Sequence, residues 1–270
     1  MDTRSHPADG EAPILLREDH EGAVYLTLNR PDKFNTLSEA MLEALQTELD
    51  AIAADPKVRC VVLSAKGRGF CAGHDLREMR ANPSDDYYQF LFRQCSRVMQ
   101  SIVELPVPVV ARVHGMATAA GCQLVASCDL VVAGRSASFA VSGINAGLFC
   151  STPAVALSRC IAPKRAFDML VTGQFINAET AEAWGLVSTL AEDDALDATV
   201  DAKVRLILSK SPDAVRFGKA MFYPQREMSL ADAYDYAGQV MAENMQSPDA
   251  GEGIDAFLGK RQPVWGQPGH

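Results

Sequence analysis

Three stretches of the chain are apolar at nearly every residue: VRCVVLSA (58–65), VPVVARV (107–113) and DLVVA (129–133). When extended, each shows apolar side chains on both faces, and a strand of that kind has to be covered from above and below. A sheet with one wet face is excluded for these segments, and a sheet sandwiched between helices meets the requirement. The segments between them carry helical periodicity. After the N-cap residue Ser38, Met41, Leu42, Leu45, Leu49 and Ile52 repeat at helical spacing. Further helices are expected at LREM after the loop KGRGFCAGHD, over Asp85–Glu104, and over residues 119–127, opened by GMATAAG. Strand and helix alternate, which puts the chain in the α/β class.

The flanks add detail. ILLRED and AVYLTLN, joined by HEG, predict a hairpin, and ASFAV predicts a further short strand. Thr152-Pro153 reads as an N-cap followed by proline at the first helical position. Beyond it the pattern is almost wholly helical, with TGQFINAETAEAWGLV supplying a turn, a helix and a strand-like exit. The expected organisation is a mobile tail over 1–13, an α/β core over 14–205, and a helical C-terminal region over 206–270.

With 34 acidic against 25 basic residues the net charge is −9, which argues against non-specific binding of nucleic acid or anionic membrane. No window is long and apolar enough for a membrane span, and MDTRSHPADGEAP lacks the apolar stretch of a signal peptide. An anionic ligand would have to meet a local basic patch: Arg30 with Lys33, Lys66 with Arg68, or Lys260 with Arg261. The seven cysteines form no C-x-x-C pair and several sit in apolar runs, as buried free thiols do. A reducing, cytoplasmic setting is expected, with the mitochondrial matrix as the alternative if the tail is the remnant of a presequence. The five histidines are scattered without ligand spacing, so no metal site is expected.

Two strand-to-helix loops, GFCAGHD (69–75) and ATAAGCQ (117–123), share a design. Their small residues let a ligand approach backbone N–H groups, and a helix start adds unpaired donors. Two such donors converging on one point make an oxyanion hole, although the same spacing fits plain tight turns. The glycines at 67, 69 and 73 miss the dinucleotide pattern G-x-G-x-x-G, and the G-x-S-x-G elbow of serine hydrolases does not occur.

Five segments occur in order: LNRPDKFNTLS, GFCAGHDLREM, PVPVVARVHGMATAAGCQLVASCDLVVA, FAVSGINAGLFCSTPAVALSR and VTGQFINAETAEAWGLV. Together, over about residues 14–265, they resemble the crotonase (enoyl-CoA hydratase/isomerase) superfamily. The resemblance implies a spiral of ββα turns with a helical C-terminal region that mediates trimers, often dimers of trimers. It implies a coenzyme A thioester as ligand, with coenzyme A as part of the substrate and no prosthetic group. The thioester carbonyl would be held by the backbone N–H groups at the positions of His74 and Ala120. Ala72 would hydrogen-bond the coenzyme A arm, Lys33 and Phe34 would lie near the adenine, and Lys260, from a neighbouring helix or subunit, would meet the phosphates.

The chain departs from the family pattern at both acid–base positions. Where the hydratases carry glutamates, this chain has Gln123 and Gly143, and neither can exchange a proton near neutral pH. Ser142, Asn145, Cys150, Ser151 and Thr152 lie on the segment expected to wall the acyl pocket, and none is a good base without a partner. Three functions fit: an enoyl-CoA hydratase-like lyase with a substitute base, a decarboxylase of a malonyl-type thioester, or a non-catalytic acyl-CoA binder. In the second, Gln123, Ser142 and Asn145 would orient the carboxylate. Asp75 is expected to cap the following helix and Asp129 to satisfy nearby backbone or a helix end.

Overall fold

The computed structural model describes residues 12–266. Residues 1–11 of the expected tail lie outside them. In chain order the elements are β1 (Leu15–His20), β2 (Ala23–Leu28), α1 (Glu39–Ala54), β3 (Cys60–Ala65), α2 (Leu76–Ala81), α3 (Asp85–Glu104), β4 (Val109–Val113), β5 (Met116–Thr118), α4 (Ala120–Ser127), β6 (Leu130–Gly134) and β7 (Ser138–Ala140). There follow α5 (Ser151–Cys160), α6 (Pro163–Thr172), β8 (Ile176–Asn177), α7 (Ala178–Trp184), β9 (Thr189–Ala191), α8 (Leu196–Leu208), α9 (Pro212–Phe222), α10 (Leu230–Asn244) and α11 (Pro248–Leu258). Helix α8 runs across the boundary expected between residues 205 and 206.

Strands β1-β2-β3-β4-β6-β9 form one sheet, parallel except for the β1–β2 hairpin. The doubly apolar runs are buried on both faces. Val61 and Leu63 of β3 join the main core with α1, α3 and α4, while Cys60 and Val62 join a smaller cluster with Leu196, Val200 and Val204 of α8.

A second sheet, β5-β7-β8, has no counterpart in the sequence reading of its β5 and β8 members. Cys71 pairs with Ala117, Ala117 with Phe139, and Phe139 with Ile176, so successive passes of the chain stack one residue each in line. Each pass therefore consists of a long strand in the first sheet, a short pairing in the second, and a helix. The second sheet brings the two small-residue loops side by side.

The expected caps are present in part. The Ser38 hydroxyl accepts from the Met41 N–H, and the Asp75 carboxylate accepts from the Arg77 and Glu78 N–H groups. At the fifth helix the structure corrects the expectation: α5 starts at Ser151 with Cys150 as N-cap, and Thr152 and Pro153 lie in the first turn. Proline is tolerated there because the first-turn N–H groups have no intrahelical acceptor in any case.

Asp129 anchors the C-terminal helices. Its Oδ2 accepts from the Val109 N–H (2.6 Å) and from Lys219 Nζ (2.7 Å), and its Oδ1 accepts from the Tyr223 hydroxyl (2.6 Å). Lys219 Nζ also donates to the Ile102 and Val107 carbonyls, both at 2.9 Å, so all three ammonium protons are used. Burial pulls the Lys219 ammonium below its usual range, and Asp129 opposes that shift. Lys219→Met leaves a buried carboxylate without its cation and is expected to cost about 3–5 kcal/mol, read from urea unfolding midpoints.

Candidate active site

Asn35 organises the first loop. It is fully buried and left-handed (φ 52°); its Oδ1 accepts from the Arg30 N–H at 2.8 Å, and its Nδ2 donates to the carbonyls of Lys66 (2.9 Å) and Gly69 (3.0 Å). One amide thus ties the 30–36 turn to the loop after β3. Nearby the Phe34 carbonyl accepts from the Ala72 N–H at 3.0 Å, and the Arg68 guanidinium stacks 4.7 Å from the centre of the Phe34 ring. Sequence reading missed Asn35; its one signal was an asparagine in the turn RPDKFNT, a residue type that tolerates left-handed backbone.

The other side of the loop is sewn to β5. The Phe70 and Cys71 N–H groups both reach the Met116 carbonyl, and the Thr118 N–H returns to the Cys71 carbonyl at 2.9 Å. Two glycines permit this approach. A β-carbon on Gly121 would strike the Cys71 carbonyl oxygen. Gly73 is held by its left-handed backbone (φ 89°) as well as by space, since a β-carbon there would lie 2.9 Å from Ala119 Cβ and 3.1 Å from the Ala120 nitrogen.

His74 and Ala120 are thereby brought onto adjoining turns. Among the described residues no hydrogen bond takes up the backbone N–H of either one. Between Thr118 and Ala120, Ala119 holds φ 52° and ψ −122°, a conformation costing a non-glycine residue about 1–3 kcal/mol. Its N–H donates to the Ala140 carbonyl at 3.0 Å, which helps hold that strain and aims the next N–H away from the sheet.

The side chains around these donors are neutral. The His74 ring is edge-on to Phe92 with centroids 5.5 Å apart, and its Nε2 is buried without a partner. Burial lowers its pKa to about 4, so it packs as a neutral imidazole. Gln123, 4% exposed, lies one turn along α4 from Ala120, and its Oε1 is buried without a partner. Helical side chains lean toward the helix N-terminus, which directs Gln123 back toward the Ala120 end. Ser142 shares a 2.7 Å hydrogen bond with Thr118, a residue sequence reading did not single out.

The remaining predicted residues are more scattered. Gly143 is enclosed: a β-carbon there would lie 2.7 Å from both Cys150 Sγ and the Leu148 carbonyl oxygen. Burial pushes the Cys150 thiol above its usual range. Asn145 is exposed, with its amide against the Gly173 turn after α6. Lys33 and Phe34 sit at the turn that packs on the first loop, next to Ala72. Lys260 follows α11, and among the described residues no hydrogen bond or ion pair joins it to Lys33, Phe34 or Ala72. A cleft of about 530 Å³ lies on the α8 side of the first sheet, lined by Thr27, Ser64, Arg112, His114 and Asp197. It contains neither His74 nor Ala120. Among the described residues no group of His, Cys, Asp or Glu side chains is placed to hold a metal ion.

Two layers of short and long strands, wound with helices around a pair of converging loops, are the architecture of the enoyl-CoA hydratase/isomerase family. The model of that family matches residues 18–268, and the chain belongs to it. Human enoyl-CoA hydratase domain-containing protein 3, mitochondrial, is 46% identical over 247 residues, 91% of this chain and 81% of that protein. The crystal structure of that human protein superposes with a TM-score of 0.91 at 44% identity, covering 94% of this chain and 100% of that one. An enoyl-CoA hydratase from Mycobacterium smegmatis superposes with a TM-score of 0.93 at 57% identity, covering 94% and 99%.

His74 gives the site a pH signature. Between its ordinary value of 6.5 and its folded value of about 4, the unfolded chain binds a proton that the folded chain does not. Stability therefore falls as pH is lowered through that window, and this contribution is flat above it. His74→Gln is expected to flatten that part of the slope, measured by urea unfolding at several pH values across the window.

Proposed function

We propose that the chain binds acyl-CoA thioesters and stabilises a thioester enolate, with the His74 and Ala120 N–H groups as donors to the carbonyl oxygen. The observation that carries this reading is the pair of unaccepted backbone N–H groups held together by the Gly73–Ala120 approach. Each such donor is worth on the order of 10²- to 10³-fold in rate. Ala72 would bond the coenzyme A arm, Lys33 and Phe34 would flank the adenine, and Lys260 of a neighbouring subunit would meet the phosphates.

The chemistry that makes the enolate is what separates the possible functions. A hydratase-like lyase needs a base for water and an acid for the α-carbon, each contributing roughly 10²- to 10⁴-fold. Gln123 and Gly143 supply neither. Decarboxylation of a malonyl-type thioester needs no base, and the neutral amide and hydroxyls of Gln123, Ser142 and Thr118 favour it. Acyl-CoA binding without turnover is the third reading.

The C-terminal helices support self-association as a trimer or a dimer of trimers. Leu230 and Tyr234 of α10 and Phe257 and Leu258 of α11 are 77%, 74%, 83% and 73% exposed, and apolar side chains left in water suit a subunit interface. The free cysteines suit a reducing compartment, cytoplasmic or, as the relatives' names say of them, mitochondrial.

A panel of acyl-CoA thioesters tests these readings. Hydration of crotonyl-CoA is expected at least about 10⁴-fold below ordinary hydratase rates, and ordinary turnover would refute the mechanistic argument. Gln123→Glu is expected to raise hydration, while Gly143→Glu added to it brings no further gain, because Cys150 and Leu148 leave no room. Failure of every coenzyme A thioester to bind in calorimetry would overturn all three readings. For the assembly, Phe257→Asp with Leu258→Asp is expected to yield monomers by light scattering.

A further inference from the structure

We propose that His114 is a positioning residue that sets the first loop for the nucleotide end of a coenzyme A thioester. The inference rests on the acyl-CoA reading above and adds to it a residue outside the two loops, on the α8 side of the first sheet. His114 lies between β4 and β5, and its half-buried ring lines the cleft of about 530 Å³. Its Nε2 lies 2.7 Å from the Gly67 carbonyl oxygen and its Nδ1 lies 2.8 Å from Arg112 Nη1. Arg112 Nε in turn donates to Asp197 Oδ1 of α8 at 2.7 Å.

A guanidinium only donates, so Nδ1 has to accept from Arg112, and the proton of the neutral ring sits on Nε2, facing the carbonyl. Burial lowers the pKa of this ring and the Arg112 charge adds to that shift, which suits the neutral form. The Asp197–Arg112–His114 chain thus ends in a donor aimed at Gly67.

Gly67 is where such a hold counts. It is left-handed (φ 87°), and a β-carbon on it would lie 2.5 Å from Pro31 Cβ, so the loop presses there on the turn that carries Lys33 and Phe34. Asn35 holds the Lys66 and Gly69 carbonyls on either side, and Arg68 stacks on Phe34. Behind the loop, a β-carbon on Gly115 would strike the Arg68 carbonyl oxygen, so the backbone next to His114 forms a stop. Lys66, Gly67 and Arg68 are exposed and lie outside any helix or strand, and a loop of that kind depends on its tethers for order. A ligand that meets a loop already in place loses less freedom on binding.

The test is calorimetric binding of butyryl-CoA to the full chain and its variants, each checked for folding by its urea midpoint. His114→Ala is expected to bind about fivefold more weakly than the wild type, the worth of one hydrogen bond in holding the loop. His114→Gln, whose amide N–H reaches the same carbonyl, is expected to recover the loss to within about twofold, which a loss of mere packing would not allow. Should the alanine variant fail to fold, His114→Leu, which fills the space and donates nothing, takes its place. Arg112→Met is expected to weaken binding in the wild type and to add nothing where the ring is absent, because its effect passes through His114. An alanine or leucine variant that binds like the wild type, a glutamine variant that binds as weakly as they do, or an Arg112 effect that survives without the ring overturns the positioning role. Each of those results leaves acyl-CoA binding intact. Absence of butyryl-CoA binding by the wild type overturns the acyl-CoA reading itself, and the role of His114 with it.

Discussion

The structure turns on a contact in which two stretches of backbone meet with no side chain between them. Gly121 lies against the Cys71 carbonyl and Gly73 against Ala119 and Ala120. Because interiors are close-packed, a single methyl at either point would have to move a main chain, not a side chain. The Met116–Cys71–Thr118 hydrogen bonds hold the approach from one side, and the Asn35 amide from the other. The second sheet, the strain at Ala119 and the pairing of two free N–H groups all follow from that contact.

A second constraint works at longer range. Asp129 lies just before β6, yet its carboxylate collects a backbone N–H from β4, an ammonium from α9 and a hydroxyl from the turn after it. Desolvating these charges is costly, and the complete set of hydrogen bonds offsets that cost. The C-terminal helices are thereby oriented against the sheet by polar geometry as well as apolar contact, and their apolar outer face is left exposed.

Much of this was legible in the chain. Strands buried on both faces declare themselves by composition, and the helix expected roughly over Asp85 to Glu104 is α3. Ser38, Asp75 and Asp129 act as their side-chain chemistry suggests. What escaped reading is what local pattern does not encode. Strands of three and two residues, such as β5 and β8, are too short to show alternation and exist because a neighbouring pass offers a partner. Thr118 looked like one small residue among several, and only the register of β5 with β7 gives its hydroxyl a partner. The Cys150 start of α5 was hidden behind the stronger Thr-Pro signal, since a cap without a side-chain hydrogen bond leaves no mark in sequence.

The enclosure of Gly143 bears on how such a chain could change over generations. A carboxylate at position 123 is a small step, because the helix and its burial are already in place. A carboxylate at 143 is not, because a thiol and a main-chain carbonyl occupy the space into which its first carbon would grow. A glutamate at 143 would need the segment from Gly143 to Cys150 to be rebuilt together. A change at 123 is therefore separable from the loop around it, whereas a change at 143 is not.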